Sequence, residues 1–524
     1  MKQIYNPYLP SFEYVPDGEP HVFGDRLYLY GSHDRFDSAG FCLNDYVCYS
    51  APVTDLTDWK YEGVIYRKNQ DPRNQNIPED APEQTLLFGI EPKRPEDLNP
   101  KGVHAMWAPD VVCGPDKRYY LYYCLDFLSE IGVAVSDTPN GPFAYHGLVQ
   151  HKDGTPLGKK DGDKCQFDPG IFVDDDGEIY LYSGNAPMSL DYEADNLCSQ
   201  VMTLENNMLT LKTEPRKLLP DLRDETEDFK GHEFFEASSI RKIGSKYYFV
   251  YSSVRSHELC YCISDRPDSG YQFGGTLVDI GDIFLNGRTE QEGLNALGNT
   301  HGGIECANGQ WYVFYHRQTN RTNYSRQGCA EKIFFTEDGR IPQVEVTSQG
   351  MNPGALCGKG GYPASIACCL LGKDGVKFSH PMAMKMDYPF FCQDGLDIEP
   401  TKERIASDQE HPHQFIRNVL DGSVMGYKYF SFEDSALSSL CIRGKAKGTL
   451  TVFVSPKETP VPDLPSDDLP LINAPLYKVG EVEVTADSEE WQELSTFLPL
   501  PDGTYALYFR FQGEGSFDFR EFKL

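Results

Sequence analysis

Apolar and polar positions repeat in one pattern along the first 345 residues. Each copy has an apolar strand, a short polar turn and an aromatic-rich strand that ends near a tyrosine. The turns combine Gly with Asp, Asn or Ser, which is typical of β-hairpins. Five copies are present, at residues 21–31, 109–124, 168–183, 237–252 and 301–316.

The spacing of the copies predicts how they are assembled. They recur about every 60 to 90 residues, which leaves room for two further strands and a loop after each hairpin. One copy with its added strands makes a four-stranded blade, and blades of this kind pack radially. A β-sandwich also contains many short strands, but it does not repeat one hairpin five times at this spacing. The pattern therefore predicts a five-bladed β-propeller over residues 1–345.

The repeat ends near residue 350, where the composition changes. Five glycines between positions 350 and 361 predict a linker at residues 346–365. The rest of the chain has short strand-like runs, such as 448–456 and 505–512, without helical periodicity. We therefore predict an all-β protein in which residues 366–524 form a jelly-roll-like β-sandwich as an accessory domain.

Charge and composition limit the molecules that the protein is expected to bind and the compartment in which it is expected to work. The net charge of −31 over 524 residues argues against binding to nucleic acids or anionic membranes. No apolar run approaches the length of a transmembrane helix, and the N-terminal residues do not resemble a signal peptide. The fifteen cysteines are scattered and form no C-x-x-C pair, which favours reduced thiols. A cytoplasmic location is the expectation.

An ionisable residue lies close to the start of every copy. Counted back from the terminal tyrosine of each copy, these residues stand at offsets of 12 to 15 positions. Equivalent positions on the innermost strands of a propeller converge on its axis. Because converging carboxylates repel one another and destabilise the fold, such a cluster is typical of a chemical site. The residues are Asp17, Asp110, Asp168, Glu236 and His301.

The sequences around these positions resemble glycoside hydrolase family 43. The matching motifs are Pro16-Asp17, Trp107-Ala-Pro-Asp110, Phe167-Asp-Pro-Gly170, Phe235-Glu-Ala-Ser-Ser239 and Gly298-Asn-Thr-His301. The resemblance covers about the first 345 residues and implies a five-bladed propeller that cleaves arabinose- or xylose-containing glycosides. The C-terminal region is similar to carbohydrate-binding modules of family 6.

The resemblance also implies roles for the carboxyl groups. Asp17 matches the general base, Glu236 the general acid, and Asp168 the carboxylate that tunes the acid and holds the sugar. The family often has Pro directly after the base, whereas Gly18 follows Asp17 here. Glu19 therefore stays open as a second candidate for the base, and Glu233 for the acid.

Other residues are candidates for binding the sugar or a metal. Arg326 resembles the substrate-binding arginine of the family, and the remaining candidate sugar contacts are Trp107, Phe167, His33, Asp34 and Asp110. His301 matches a histidine near which family members hold calcium, whose ligands would be mostly water because calcium prefers oxygen. A hydrogen-bonded histidine without metal is the alternative. No organic cofactor is expected.

The predicted function is that of an inverting exo-glycosidase acting on plant-type oligosaccharides. It would release a terminal α-L-arabinofuranose or β-D-xylose by general acid/base catalysis. An endo-acting arabinanase or galactanase and a non-catalytic sugar-binding propeller are the alternatives. The Asn-Asp-Pro-Asn-Gly and Glu-Cys-Pro motifs of fructan hydrolases are missing from the sequence. The expected partner is an oligosaccharide. The C-terminal domain is expected to act as a structural or oligomerising lid, so the sequence also allows a homo-oligomer.

Overall fold

A computed structural model describes residues 2–86, 90–191, 195–376, 388–395, 413–457, 464–467, 469 and 472–524. Five sheets form the N-terminal part, and neighbouring strands within each sheet are antiparallel and consecutive in the chain. The first two blades contain β1 Glu19–Phe23, β2 Arg26–Tyr30, β3 Tyr46–Pro52 and β4 Lys60–Tyr66, then β5 Asp110–Cys113, β6 Tyr119–Cys124, β7 Ile131–Ser136 and β8 Ala144–Leu148. The third and fourth contain β9 Gly170–Val173, β10 Ile179–Ser183, β11 Gln200–Leu204 and β12 Arg216–Lys217, then β13 Phe234–Ile243, β14 Lys246–Ser253, β15 Glu258–Ser264 and β16 Gln272–Asp279. The fifth contains β17 Ile304–Ala307, β18 Gln310–Gln318 and β19 Arg326–Ile333.

The blades pack through apolar clusters, one at each interface between neighbouring sheets. In β2, Leu27 and Leu29 face the fifth blade, whereas Tyr28 and Tyr30 face the second. This alternation follows from the two-residue period of a strand, so that both faces of a blade are buried against its neighbours. Equivalent clusters join the second blade to the third, the third to the fourth, and the fourth to the fifth. The ring is therefore closed, and the predicted five-bladed propeller is confirmed.

The chain before β1 helps to close the ring. It lies beside β19, where the Tyr8 amide donates to the Gly328 carbonyl at 3.2 Å and the Ala330 amide donates to Asn6 Oδ1 at 3.0 Å. Gly18 forms a parallel bridge with Gly302 of the fifth blade. The segment that leads to Asp17 is thus held by the last blade as well as the first.

The C-terminal strands form one curled ten-stranded sheet around an apolar core. Three long strands dominate it, and the predicted all-β class is confirmed. Its strands are β20 Leu356–Cys357, β21 Gly361–Pro363, β22 Cys369–Leu371, β23 Phe390–Gln393, β24 Gln414–Val419, β25 Val424–Phe432, β26 Ala436–Pro456, β27 Ser466–Asp467, β28 Leu476–Pro499 and β29 Gly503–Lys523.

Two of these strands fall at residues 346–365, where a linker is predicted. There β20 pairs with β25, and β21 pairs with β29. The domain boundaries at 345 and 366 stay predictions.

Helical structure among the described residues is limited to single 3₁₀ turns. They are Lys68–Gln70, Pro72–Asn74, Pro95–Asp97, Leu285–Gly287, Glu290–Glu292 and Ala364–Ile366. None of the helices described is long and apolar enough to span a membrane.

Candidate active site

A cavity of about 370 Å³ lies where the innermost strands of the propeller begin. This volume is near the lower end of the roughly 300–1,000 Å³ typical of ligand pockets. All five blades contribute to its wall. The lining residues are Asp17, Phe41, Cys42, Trp107, Ala108, Phe167, Asp168, Asn185, Met188, Phe235, Glu236, Ser256, Asn299, His301, Asn323 and Arg326.

Unusual backbone conformations direct the three predicted catalytic carboxyl groups into this cavity. Asp17 and Asp168 have φ angles of 56° and 42°, and Ala237, which follows Glu236, has 71°. Non-glycine residues seldom adopt positive φ because of steric strain, and such strain clusters at functional sites. A β-bulge interrupts the pairing of β13 with β14 around Glu236 and turns its side chain out of the regular ladder.

Asp17 is held as an anion. Its carboxylate accepts hydrogen bonds from Ser32 Oγ at 2.5 Å and from Arg326 Nη1 at 3.1 Å. Burial raises the pKa of Asp17, but the charges around it, first that of Arg326, outweigh burial and hold the pKa below its ordinary value of 3.8. A buried carboxylate with these partners can accept a proton from water.

Glu236 is in the opposite state. Burial, followed by the charge of Asp168, raises the pKa of Glu236 well above its ordinary value of 4.5. Asp168 lies 3.5 Å from His301 Nδ1, measured to Oδ2. Burial favours a neutral His301, yet the attraction of Asp168 raises the pKa of this imidazole to about 9. The site thus combines a carboxyl group with a raised pKa, Glu236, with a second carboxyl group that contributes to the rise.

Arg326 links Asp34 to Asp17 on one side of the cavity, which we call the base side. Its Nε and Nη2 donate to the two oxygens of Asp34 at 2.8 and 2.9 Å, and its guanidinium stacks over Phe41 at 4.7 Å. This bidentate pairing fixes the plane of the guanidinium. The remaining nitrogen, Nη1, is thereby aimed at Asp17.

Trp107 and Phe167 form part of an aromatic wall. Their rings meet edge to face at 5.2 Å, and Trp107 also contacts Phe41 at 6.3 Å. Trp107 Nε1 is buried without a hydrogen-bond partner in the structure. An indole N–H that faces a sugar cavity would find such a partner in a sugar hydroxyl.

Asp110 lies one layer deeper in the channel than the sequence pattern predicts. It pairs with Tyr122 across its hairpin, as Glu19 pairs with Tyr30, and it contacts His21 Nε2 at 2.7 Å. Because side chains on one face of a strand are two residues apart, Ala108 takes the place in the cavity wall. Asp110 is not among the lining residues, and burial raises its pKa to about 6.

The two alternative candidates, Glu19 for the base and Glu233 for the acid, also lie outside the lining of the cavity. Glu19 points into the deeper layer, where Arg241 Nη2 is 2.8 Å from its Oε1 and Ser239 Oγ donates to the same oxygen. Glu233 is buried and accepts from the Gly231 amide. This placement favours Asp17 and Glu236 over both.

Two other candidate sugar contacts support the wall from behind. His33 is buried and its Nδ1 lies 2.8 Å from the Asp45 carbonyl oxygen. Asp34 is fully buried beneath Arg326 and also accepts from the Cys42 amide. Neither side chain lines the cavity.

Nine of the sixteen residues that line the cavity were not singled out by sequence reasoning. Ala108, Phe235 and Asn299 lie inside motifs that were recognised, so their adjacency to Trp107, Glu236 and His301 was an available signal. The others come from loops or strand ends without a residue pattern of their own. They are Phe41, Cys42, Asn185, Met188, Ser256 and Asn323.

The surroundings of His301 do not fit direct coordination of calcium. A metal requires an unprotonated imidazole nitrogen, and the attraction of Asp168 favours the protonated form of His301. Among the described residues, the groups of three or more close potential ligands are Glu19 with His21 and Asp110, and His232 with Glu258 and Cys260. In the first group Arg241 already balances the charge of Glu19. His301 belongs to neither group.

The C-terminal sheet contacts the elements that hold Arg326 and Asp17. Gln414 of β24 donates to Gln327, which in turn donates to the Ser11 and Glu13 carbonyls. Tyr14 donates to Gln393 of β23 at 2.6 Å, and its carbonyl accepts from the Asp34 amide. The C-terminal domain is thus a structural support of the base side of the cavity.

These charge states predict the pH dependence of catalysis. With Asp17 as the base and Glu236 as the acid, kcat/KM should rise with pH through a limb below pH 3.8 and fall through a limb well above pH 4.5. Asp168→Asn removes the negative charge that raises the pKa of Glu236, so the falling limb should move to lower pH. Initial rates from pH 3 to 10 measure both limbs. An unmoved limb would show that Asp168 does not tune Glu236.

Comparison with known proteins agrees with this geometry. The chain matches the model for glycosyl hydrolases family 43 over residues 88–341. It is 42% identical to a xylosidase/arabinosidase of Thermoclostridium stercorarium over 100% of this chain and 99% of that protein. A β-xylosidase of Xylanibacter ruminicola is 29% identical over 64% of this chain and 99% of its own length. An arabinoxylan arabinofuranohydrolase of Paenibacillus polymyxa is 24% identical over 96% and 70%, respectively.

A closed propeller with paired carboxyl groups in opposite protonation states at its mouth defines a glycoside hydrolase. With the match to the family model and the full-length relative, the chain belongs to glycosyl hydrolase family 43.

Proposed function

We propose that this enzyme is an inverting exo-glycosidase that releases a terminal α-L-arabinofuranose or β-D-xylose from plant-type oligosaccharides. The observation that carries the proposal is the pairing of a carboxylate kept ionised by Arg326, Asp17, with a carboxyl group kept protonated, Glu236, on one small cavity. Relatives named for xylosidase and arabinosidase activities support a pentose as the released sugar.

In the proposed reaction, Asp17 removes a proton from a water molecule that attacks the anomeric carbon. Glu236 gives its proton to the departing glycosidic oxygen, so the leaving group departs as a neutral alcohol. Asp168 holds the pKa of Glu236 high between turnovers, and Arg326 keeps Asp17 in place.

The stereochemistry of the product tests the mechanism. A water that attacks directly inverts the anomeric centre, and base and acid then stand about 6.5–9.5 Å apart. NMR of the first product from an α-L-arabinofuranoside should therefore show the β anomer. An α anomer would mean a covalent intermediate and would overturn the inverting proposal.

The product profile on a linear pentose oligomer tests the mode of attack. A cavity of about 370 Å³ is small for an oligosaccharide, so the end of the oligomer should enter it and monosaccharide should accumulate from the first time point. Activity on intact polysaccharide should be poor. Early release of dimers and trimers would instead support the endo-acting alternative, and binding without release would support a non-catalytic propeller.

We further propose that the enzyme works in the cytoplasm on short oligosaccharides. All fifteen cysteines are free thiols, and most of them are buried. Exported proteins of oxidising compartments more often cross-link such thiols. The partner is then a small soluble oligosaccharide.

A further inference from the structure

The mouth of the catalytic cavity is marked by one exposed apolar side chain. Of the sixteen described residues that line the cavity, Met188 alone is exposed, with 50% of its surface accessible. Its near neighbour Leu190 is 69% exposed. Because Met188 stands on the rim of the cavity, a ligand that fills the cavity and extends out of it would cover this exposed apolar surface.

The segment that carries Met188 is fixed between two of the catalytic carboxyl groups. At its start, the Gly184 amide donates to the carbonyl of Phe167, which precedes Asp168. Two residues later, the Ala186 amide donates at 2.7 Å to the carbonyl of Phe235, which precedes Glu236. Met188 is therefore held on the side of the cavity where Glu236 lies.

Gly184 explains why the segment can take this path. Its φ is 106°, and a Cβ atom there would lie 2.0 Å from the Cys198 carbonyl oxygen. Only glycine fits such a close approach. The position of the rim is thus built into the backbone and does not depend on side-chain packing alone.

The same segment offers a polar group. Asn185 lines the cavity, and its Oδ1 is buried without a hydrogen-bond partner. A buried acceptor left unpaired is unfavourable, and a donor on a ligand can supply the missing hydrogen bond. An apolar face formed by Met188 and Phe235 beside an unpaired amide oxygen matches a sugar ring, which has C–H faces and hydroxyl edges.

We propose that Asn185, Met188 and Phe235 form the binding site for the leaving-group sugar, the residue on the far side of the bond that is cleaved. The inference rests on the proposed function, since it takes Glu236 as the group that protonates the leaving oxygen. The sugar attached to that oxygen must pass beside Glu236 and leave through the open rim. Its ring covers Met188, and one of its hydroxyl groups donates to Asn185 Oδ1.

Glycosyl fluorides provide the test, because their leaving group is a fluoride ion and no sugar enters the proposed site. For Met188→Ala and Asn185→Ala, kcat/KM should fall about tenfold on a pentose disaccharide. The fall on the matching pentosyl fluoride should be at least fivefold smaller. Met188→Leu keeps an apolar side chain of similar volume and should recover most of the disaccharide activity.

Phe497→Ala is the matched control, since Phe497 is 78% exposed on β28 of the C-terminal sheet. It should change neither rate. Equal losses on both substrates in the Met188 and Asn185 variants would overturn the proposal and place these residues at the released pentose. No loss on either substrate would overturn it as well. Failure of the wild-type enzyme on both substrates would instead contradict the proposed function.

Discussion

Glu236→Gln is expected to lower kcat on a pentose disaccharide by about 10²–10⁴-fold, the usual contribution of a positioned proton donor. Glutamine keeps the size of the side chain but has no proton to give. A 2,4-dinitrophenyl pentoside needs little protonation of its leaving group, so the same variant should lose far less activity on it. Steady-state rates on the two substrates, measured beside the wild-type enzyme, separate a proton donor from a residue that only shapes the cavity.

Asp17→Asn supplies the complementary result. A base acts on the attacking water whatever the leaving group is, so this variant should lose a similar factor on both substrates. Glu19→Gln and Glu233→Gln are the matched controls, because both residues lie outside the cavity lining. A large loss in Glu19→Gln with normal activity in Asp17→Asn would move the base to Glu19. Melting curves check that each variant is folded.

The propeller was predictable because its signal is repeated five times. Each hairpin carries its own turn residues, and the aromatic strand that follows has to bury both faces between blades, as Leu27 and Tyr28 do on opposite sides of β2. Local turn chemistry and packing period therefore agree in every copy. The curled C-terminal sheet has no such repeat, so its long strands and their pairing could not be derived from pattern alone.

The sequence located the residues of the candidate site only to within two positions along each innermost strand. Asp110 stands 12 residues before its tyrosine and Asp168 stands 14, and two residues are one full step along the face of a strand. This small difference moves Asp110 out of the cavity and beside His21. The positive φ angles at Asp17 and Asp168 have no sequence signal of their own, because aspartate also adopts such angles outside the site, as Asp37 and Asp282 do.

Long-range contacts account for the remaining differences. The partner of Arg326 that fixes its guanidinium is Asp34, which is separated from it by almost 300 positions in the chain. Asn185 and Met188 lie on a loop whose path is set by hydrogen bonds to Phe167 and Phe235. Composition and spacing do not encode such pairings, so the supporting residues of the site follow from the structure alone.

Lys428→Met is expected to destabilise the protein by about 3–5 kcal/mol, the usual cost of leaving buried charges without their partner. Lys428 belongs to β25 of the C-terminal sheet and is 3% exposed in its side chain. Its Nζ contacts Asp282 at 3.0 Å and Glu345 at 2.8 Å, both outside that sheet. Methionine fills the space but leaves these two carboxylates uncompensated at the interface. The midpoint and slope of denaturant unfolding measure the loss.

A triple variant that adds Asp282→Asn and Glu345→Gln should recover part of this stability, because no unpaired charge is left at the interface. Lys447→Met, on an exposed position of β26, should stay within about 0.5 kcal/mol of the wild type. Activity should be lost in the same transition as the fold, since the sheet also supports the base side of the cavity through Gln414 and Gln393. An unchanged midpoint in Lys428→Met would show that this ion-pair cluster does not hold the sheet to the propeller.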